Sequence, residues 1–449
     1  MLLRARFVLP ITSDYLTDGA VLVRDGIIED VGPGPDLLER YPDEEVRDFG
    51  RSALMPGFVD LHTHLEYSAL RGLVDDLPYA EWKISLSELE KTLDPQDWAD
   101  AATLGALEAV QSGITTIADI TDTGASVGAA VSAGLRGLIY REVSTMKPQA
   151  VDDVVRAAVE DIESWKEATD EALMTVGIAP HAAYTCHPRL IERVAQVANE
   201  MSLPVSTHLA GSVDEYEFVK YGSSRLAMEL TEGEDWRDRA WMPTGVSPVR
   251  YLLQWGLFDV PELLGVHVIQ VDDDDIDVLA DRDVAVASCP RCAAKLGMGK
   301  TPLERFFSEG MRVGLGTDSP ASNNTIDFFD EMRIGLLLQR AFVGDQHFFD
   351  AETFVKMATI EGAKALRLED KIGSLERGKE ADVIAVDLSH SHQAPIRNPY
   401  SALVHTCNQE NVMFTMVRGR VLYDAGRYET LDADRVVSRA DEVRSKLRG

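Results

Sequence analysis

Gly57-Phe58-Val59-Asp60-Leu61-His62-Thr63-His64 reads as a hydrophobic strand that ends in two histidines separated by one residue. Alternate side chains of a strand share a face, so His62 and His64 point the same way and can reach one ion. A lone histidine is more often a hydrogen-bonded core residue. Two in this register, at the C-terminal end of a strand, point to a metal site, because that is the end where parallel α/β barrels carry their chemistry.

Downstream of this stretch, short apolar β-type runs alternate with helical patterns, as expected of a parallel α/β arrangement. Eight runs can be counted, ending near Leu61, Ile120, Val143, Pro180, Thr207, Ile269, Ser288 and Gly316. Helical stretches such as Asp97 to Gln111, Asp152 to Lys166 and Pro188 to Glu200 lie between them. Eight strands close a barrel, so the fold class predicted is α/β, a (β/α)₈ TIM barrel. His181, His208 and His267 also stand at predicted strand ends, and the eighth run leads into Thr317-Asp318-Ser319. Five of the chain's 10 histidines therefore gather at one end of one inferred barrel. Imidazoles with a carboxylate suit Zn²⁺ or Fe²⁺ better than Ca²⁺ or Mg²⁺, which take all-oxygen shells.

The two ends of the chain share a different pattern. Short strands punctuated by Asp-Gly and Pro-Gly turns occupy the first fifty residues, and similar runs return at Ala381 to Asp387 and Val412 to Tyr423. The expected organisation is a small composite β-sandwich domain from 1–54 plus 371–432, a barrel over 55–370, and a C-terminal helix over 433–449. The long, weakly periodic connection from Tyr221 to Thr244 is expected to be an inserted loop over the active-site face.

Composition narrows the partners. The chain has 449 residues, a formal charge of −31 and a pI near 4.6, so its field repels nucleic-acid backbones and anionic lipid. No apolar run approaches the roughly 18 residues of a membrane span. The N-terminus lacks the apolar core and cleavage site of a signal peptide. Four cysteines in so long a chain do not make a disulfide framework. A cytoplasmic protein is the default expectation.

Several longer motifs occur together: Met55-Pro56-Gly57 through His64, Leu70-Arg71-Gly72 with Asp75 to Pro78 and Trp82, His181 with Tyr184-Thr185-Cys186, His208-Leu209-Ala210, Gly314 to Asn324, and Gly373 to Val383. On these motifs the chain resembles the metal-dependent amidohydrolase superfamily, in the branch of aminohydrolases and chlorohydrolases that act on purine, pyrimidine and triazine rings. The resemblance implies one divalent metal held by His62, His64, His208 and Asp318. Such an ion lowers the pKa of water towards neutrality and so supplies hydroxide. It further implies that His267 orients the water or polarises the bond, that Asp318 accepts and relays the water proton, and that His181, Trp82, Arg141 and Ser319 contact a small heterocyclic substrate. Adenine-type nucleosides of the methylthioadenosine, S-adenosylhomocysteine or aminodeoxyfutalosine class are the expected substrates. A triazine-type chlorohydrolase is the alternative. Related enzymes are commonly homo-oligomers, which implies a dimer or tetramer.

One position departs from that pattern. The family normally places a glutamate three residues after the third metal histidine, where it protonates a ring nitrogen; here Gly211 stands there. Either another carboxylate does this work, with Glu66 and Glu215 as the candidates, or ring protonation is not part of the reaction, or the chain is a catalytically silent metal-binding member. Where nucleoside deaminases of this branch carry a ribose-binding glutamate, an ungapped count arrives at Lys91, with Glu88 and Glu90 beside it.

Two other signals have plainer readings. Cys289-Pro290-Arg291-Cys292 follows the seventh predicted strand and is read as loop cysteines, because its proline is misplaced for the cytidine-deaminase zinc signature. Asp272 to Asp275 opens a predicted helix, where carboxylates offset orphan N–H groups.

Overall fold

In the computed structural model, which describes residues 1–231, 243–343 and 349–448, the eight runs form one parallel sheet. Its strands are β1 (Phe58–Thr63), β2 (Ile114–Thr121), β3 (Arg136–Val143), β4 (Met174–Pro180), β5 (Val205–Leu209), β6 (Leu263–His267), β7 (Ala285–Ser288) and β8 (Val313–Leu315). Each is hydrogen-bonded to the next in chain order. The seam between β8 and β1 is closed by a parallel bridge from Thr63 to Asp318 and by Asp318 N–H donating to the His62 carbonyl at 2.8 Å. The buried Asp60 carboxylate fastens that seam, accepting from Thr317 N–H at 2.9 Å and from the Thr317 hydroxyl at 2.6 Å.

The expected strand ends agree with the observed ones to within two residues. Helices Pro95–Gln111, Val151–Ala168 and Pro188–Met201 occupy the three helical stretches. The first starts at Asp94, whose side chain accepts from Gln96 and Asp97 N–H, with Asp97 reaching back to Asp94 N–H. Asp272 likewise caps helix Asp273–Asp281, accepting from Asp275 N–H. Helix Phe328–Val343 buries Phe328, Phe329, Met332 and Leu336 in the core.

Both chain ends meet in one nine-stranded mixed sheet, in which Ser52–Pro56 pairs antiparallel with Val383–Asp387. Side chains from its N-terminal arm (Leu3, Val21, Leu54) and C-terminal arm (Val383, Phe414) converge in one core. This module passes directly into the barrel through Gly57. A Cβ there would lie 2.1 Å from Thr115 Cγ2, so only glycine allows the close approach. Buried Arg136, at the start of β3, ties the two parts together through Asp382 at 2.8 Å and Glu380 at 2.5 Å.

Helix Ala433–Arg448 lies against helix Pro95–Gln111, with Val443 packed on Ala69 and Ala101. Of the Tyr221 to Thr244 connection, residues 232–242 lie outside the described residues. The described part contains helix Arg225–Thr231, which packs on helix Tyr79–Glu90 through an Arg225–Glu81 ion pair. Among the described residues no helix is long and apolar enough to cross a membrane.

Candidate metal centre and active-site cavity

The barrel brings His62, His64, His208, His267 and Asp318 together at the C-terminal ends of β1, β5, β6 and β8. His62 is fully buried, and neither of its ring nitrogens has a hydrogen-bond partner. Its Nε2 lies 3.5 Å from Asp318 Oδ1. His64 and His208 each direct Nδ1 at a backbone carbonyl, that of Ile120 and that of His181, both at 2.8 Å. A carbonyl only accepts, so Nδ1 carries the proton in both rings and Nε2 presents a lone pair. The two Nε2 atoms stand 3.4 Å apart. Two lone pairs facing at that distance repel unless a cation lies between them, so the donor set fits a divalent ion. Ligand atoms of His62, His64 and Asp318 lie within 4.8 Å of one another, as do those of His62, His208 and His267.

The electrostatics suit ligation. Burial, followed by the neighbouring imidazoles, pushes His64 down to about 3 and holds His208 well below the usual range. Burial pushes His267 down to about 4 and holds His181 well below normal. All four are neutral at physiological pH, the form that binds metal or accepts a proton. Burial alone would raise the Asp318 carboxyl, but the facing imidazoles, His62 first, hold it well below the carboxylate range. Ser319 N–H also donates to Asp318 Oδ1 at 2.6 Å.

The backbone at these strand ends is unusual. Ala210, His267, Val268 and Asp318 all have left-handed φ, at 49°, 73°, 47° and 59°. Such conformations are rare for residues other than glycine and cluster at functional sites, where the surroundings over-determine them. Here Ile269 and Gln270 N–H both donate to the Ala210 carbonyl, at 3.0 and 2.7 Å. The left-handed turn at His267 also ends β6 two residues before the sequence pattern predicts.

Beside the ligands is a cavity of about 40 Å³, lined by Trp82, His181 and Ser319 as the family resemblance implies, together with Tyr67, Tyr79, Lys83 and Glu142. Trp82 Nε1 donates to the Ala321 carbonyl at 3.0 Å, which fixes its ring as a wall. A wider open cleft of about 670 Å³, between the β module and the barrel helices around Lys364 and Arg377, contains none of the strand-end residues.

Three expected site residues are placed elsewhere. Glu66 does not continue the strand alternation, because the chain turns into a 3₁₀ helix over Leu65–Leu70 immediately after His64. Its carboxylate accepts from the Thr121 and Thr123 hydroxyls and from Asp122 N–H, and so braces the end of β2. Glu215 accepts from Ala210 N–H at 3.1 Å and Gly211 N–H at 2.8 Å, which makes it the brace of the turn after His208. Arg141 faces the helix layer, paired with Asp161 at 2.8 Å and Asp122 at 2.6 Å. Its neighbour Glu142 faces the cavity instead, since successive strand residues point to opposite sides. Of the ribose-site candidates, Lys91 and Glu88 form an exposed pair at 2.6 Å. Cys289 and Cys292 are buried free thiols just after β7.

Three imidazoles and a carboxylate converging at the C-terminal mouth of a (β/α)₈ barrel, beside a polar cavity, define a metal-dependent hydrolase. The amidohydrolase family model matches residues 53–422, and the chain belongs to that family. A bacterial imidazolonepropionase-like composite domain matches residues 19–43, within the β module. The chain is 30% identical over 449 residues to a 5-methylthioadenosine/S-adenosylhomocysteine deaminase of Thermodesulfovibrio yellowstonii, covering 98% of this chain and 97% of that one. It is 34% identical over 440 residues to a deaminase of the same name from Nitratidesulfovibrio vulgaris, covering 96% and 92%. Among solved structures, an adenosine deaminase from Xanthomonas campestris with bound zinc superposes with a TM-score of 0.86 at 29% identity, covering 100% of this chain and 98% of that one. Atrazine chlorohydrolase TrzN from Arthrobacter aurescens shares the fold, with a TM-score of 0.83 at 23% identity and 99% of both chains covered. The protein is accordingly a hydrolase of C–N bonds with a divalent-metal site.

Proposed function

We propose that the protein hydrolytically deaminates an adenine-type nucleoside of the methylthioadenosine, S-adenosylhomocysteine or aminodeoxyfutalosine class, with Zn²⁺ as its ion. The observation that carries this reading is the His62/His64/His208 cage, its His64 and His208 neutral, with ionised Asp318, placed beside a cavity with an aromatic wall. The names of the deaminase relatives and the zinc in the Xanthomonas structure support the substrate class and the metal. An ion bound in the cage lowers the pKa of water towards neutrality and so makes a nucleophile available. Asp318 accepts the water proton and passes it to the leaving amino group. His267 polarises the carbon under attack, while His181, Trp82 and Ser319 hold the ring.

The cavity must widen to admit such a substrate. Pockets for drug-sized ligands measure about 300–1,000 Å³, against about 40 Å³ here. Helix Tyr79–Glu90 supplies four of its lining residues, Tyr79, Trp82, Lys83 and Leu86.

Ammonia release by the zinc-loaded protein across a panel of amino-purine nucleosides and amino-pyrimidines, set against chloride release from chlorotriazines, tests the reading. Ammonia from an adenine nucleoside is the expected result, and chloride release alone would replace it with the chlorohydrolase. Gly211 favours a second reading, a silent member that binds such a ligand without turning it over. Stoichiometric metal with no ammonia from any compound would establish that one.

A further inference from the structure

Gly211 leaves the turn after β5 without a carboxylate, and its neighbours have closed into the space. A Cβ there would lie 3.0 Å from both His267 Cδ2 and Met298 Cε. The nearby carboxylates on the metal side are engaged: Glu66 by β2, Glu215 by the turn, and Asp60 by the barrel seam. Across the cavity Glu142 is different. Its side chain is 13% exposed, and its Oε1 is buried without a hydrogen-bond partner. That oxygen lies 3.9 Å from His181 Nε2. Ligand atoms of Glu142, His181 and His208 lie within 4.8 Å of one another, which puts the carboxyl next to the metal cage and in the same cavity as His64 and Asp318.

We propose that Glu142 delivers the proton to the substrate's ring nitrogen, from the β3 wall of the cavity, in place of the side chain missing at Gly211. The proposal rests on the deaminase reading above. Burial pushes the Glu142 carboxyl up against the pull of Lys83, the direction a proton donor needs.

The step balances without a further reactant. The water oxygen bonds to the amino-bearing carbon while the C=N π pair moves to the ring nitrogen and takes the Glu142 proton. Asp318 receives one water proton and hands it to the amino group. The C–N bond then breaks with its electron pair, ammonia leaves, and the remaining hydroxyl proton returns to Glu142 as the carbonyl forms.

The test compares zinc-loaded wild type with Glu142→Gln and Glu142→Asp on the adenine nucleoside that wild type turns over best. General acid catalysis is worth about 10²- to 10⁴-fold, and a loss of that size in kcat is expected for Glu142→Gln at unchanged zinc content. Glu142→Asp, which keeps an acid, should retain more of the rate. An infrared carbonyl band of a buried protonated carboxyl, present in wild type near pH 7 and absent from Glu142→Gln, provides a readout independent of turnover. Wild-type rates in Glu142→Gln would overturn the assignment, as would loss of zinc from that variant, which would make Glu142 a ligand. Absence of ammonia from the wild-type protein with every substrate would instead remove the deaminase reading, and this proposal with it.

Discussion

The two walls of the active-site cavity are built on opposite plans. On the metal wall His64 and His208 are fixed from behind by backbone carbonyls, Asp318 by Ser319 N–H, and the turn after His208 by Glu215, while the His62 ring nitrogens are left free. On the facing wall Glu142 Oε1 has no partner, and His181 is anchored only at Nδ1, by Thr185 at 2.8 Å. Groups braced in this way are organised before anything binds. Unpaired buried polar atoms are costly, so on the other wall a ligand completes the set. The difference matches the proposed division between residues that hold the ion and residues that read the substrate.

The contrast can be tested by variants of graded effect. The largest is expected from His62→Ala, which removes a proposed metal ligand and the imidazole that faces Asp318: zinc content measured by atomic absorption should fall to background, and turnover with it. Retained stoichiometric zinc would dissolve the boundary between the walls.

Glu215 gives the next largest effect, on stability rather than chemistry. Glu215→Ala leaves the Ala210 and Gly211 N–H groups unpaired, a loss of about 1–3 kcal/mol in denaturant titration. The pH profile adds a signed test. Burial raises this carboxyl from 4.5 to about 7 in the folded chain. Between those values the folded protein keeps a proton that the unfolded chain releases, so the Glu215 contribution to stability is present below pH 4.5 and lost as pH rises to about 7. Glu215→Gln should flatten that part of the stability profile.

Glu66→Gln should leave kcat unchanged and lower stability by about 1 kcal/mol, the usual scale of a perturbed buried hydrogen bond. A large drop in kcat would return Glu66 to the proton-donor role. Arg141→Ala should have the smallest effect. Its pairs with Asp161 and Asp122 are half open to water, worth about 0–1 kcal/mol, and KM for the nucleoside should not move.

The metal wall could be read in the sequence because its signals are local. A two-residue spacing in a strand places His62 and His64 on one face whatever surrounds them, and strand-end position supplies the rest. The substrate wall could not be read in the same way. Lys83 and Tyr79 come from a loop-borne helix whose approach to the cavity is set by tertiary packing. Strand alternation does not carry as far as Glu66, because Leu65 N–H turns to bond the buried Asp119 carboxylate, at 2.7 Å. Glu142 was missed for a simpler reason, since parity along β3 admits only one of two adjacent charged residues to the cavity.

The seam held by Asp60 and Thr317 joins groups 257 positions apart in the chain. Half of the ion cage therefore comes from one side of that seam and its carboxylate from the other. During folding, the groups from β1 wait for β8, the last barrel strand to be synthesised, and contacts of such long sequence separation form slowly. Under the proposed ligation, tight uptake of the ion is thus a chemical record that the ring of strands has been completed, and no fragment that ends before Asp318 carries the full set of donors.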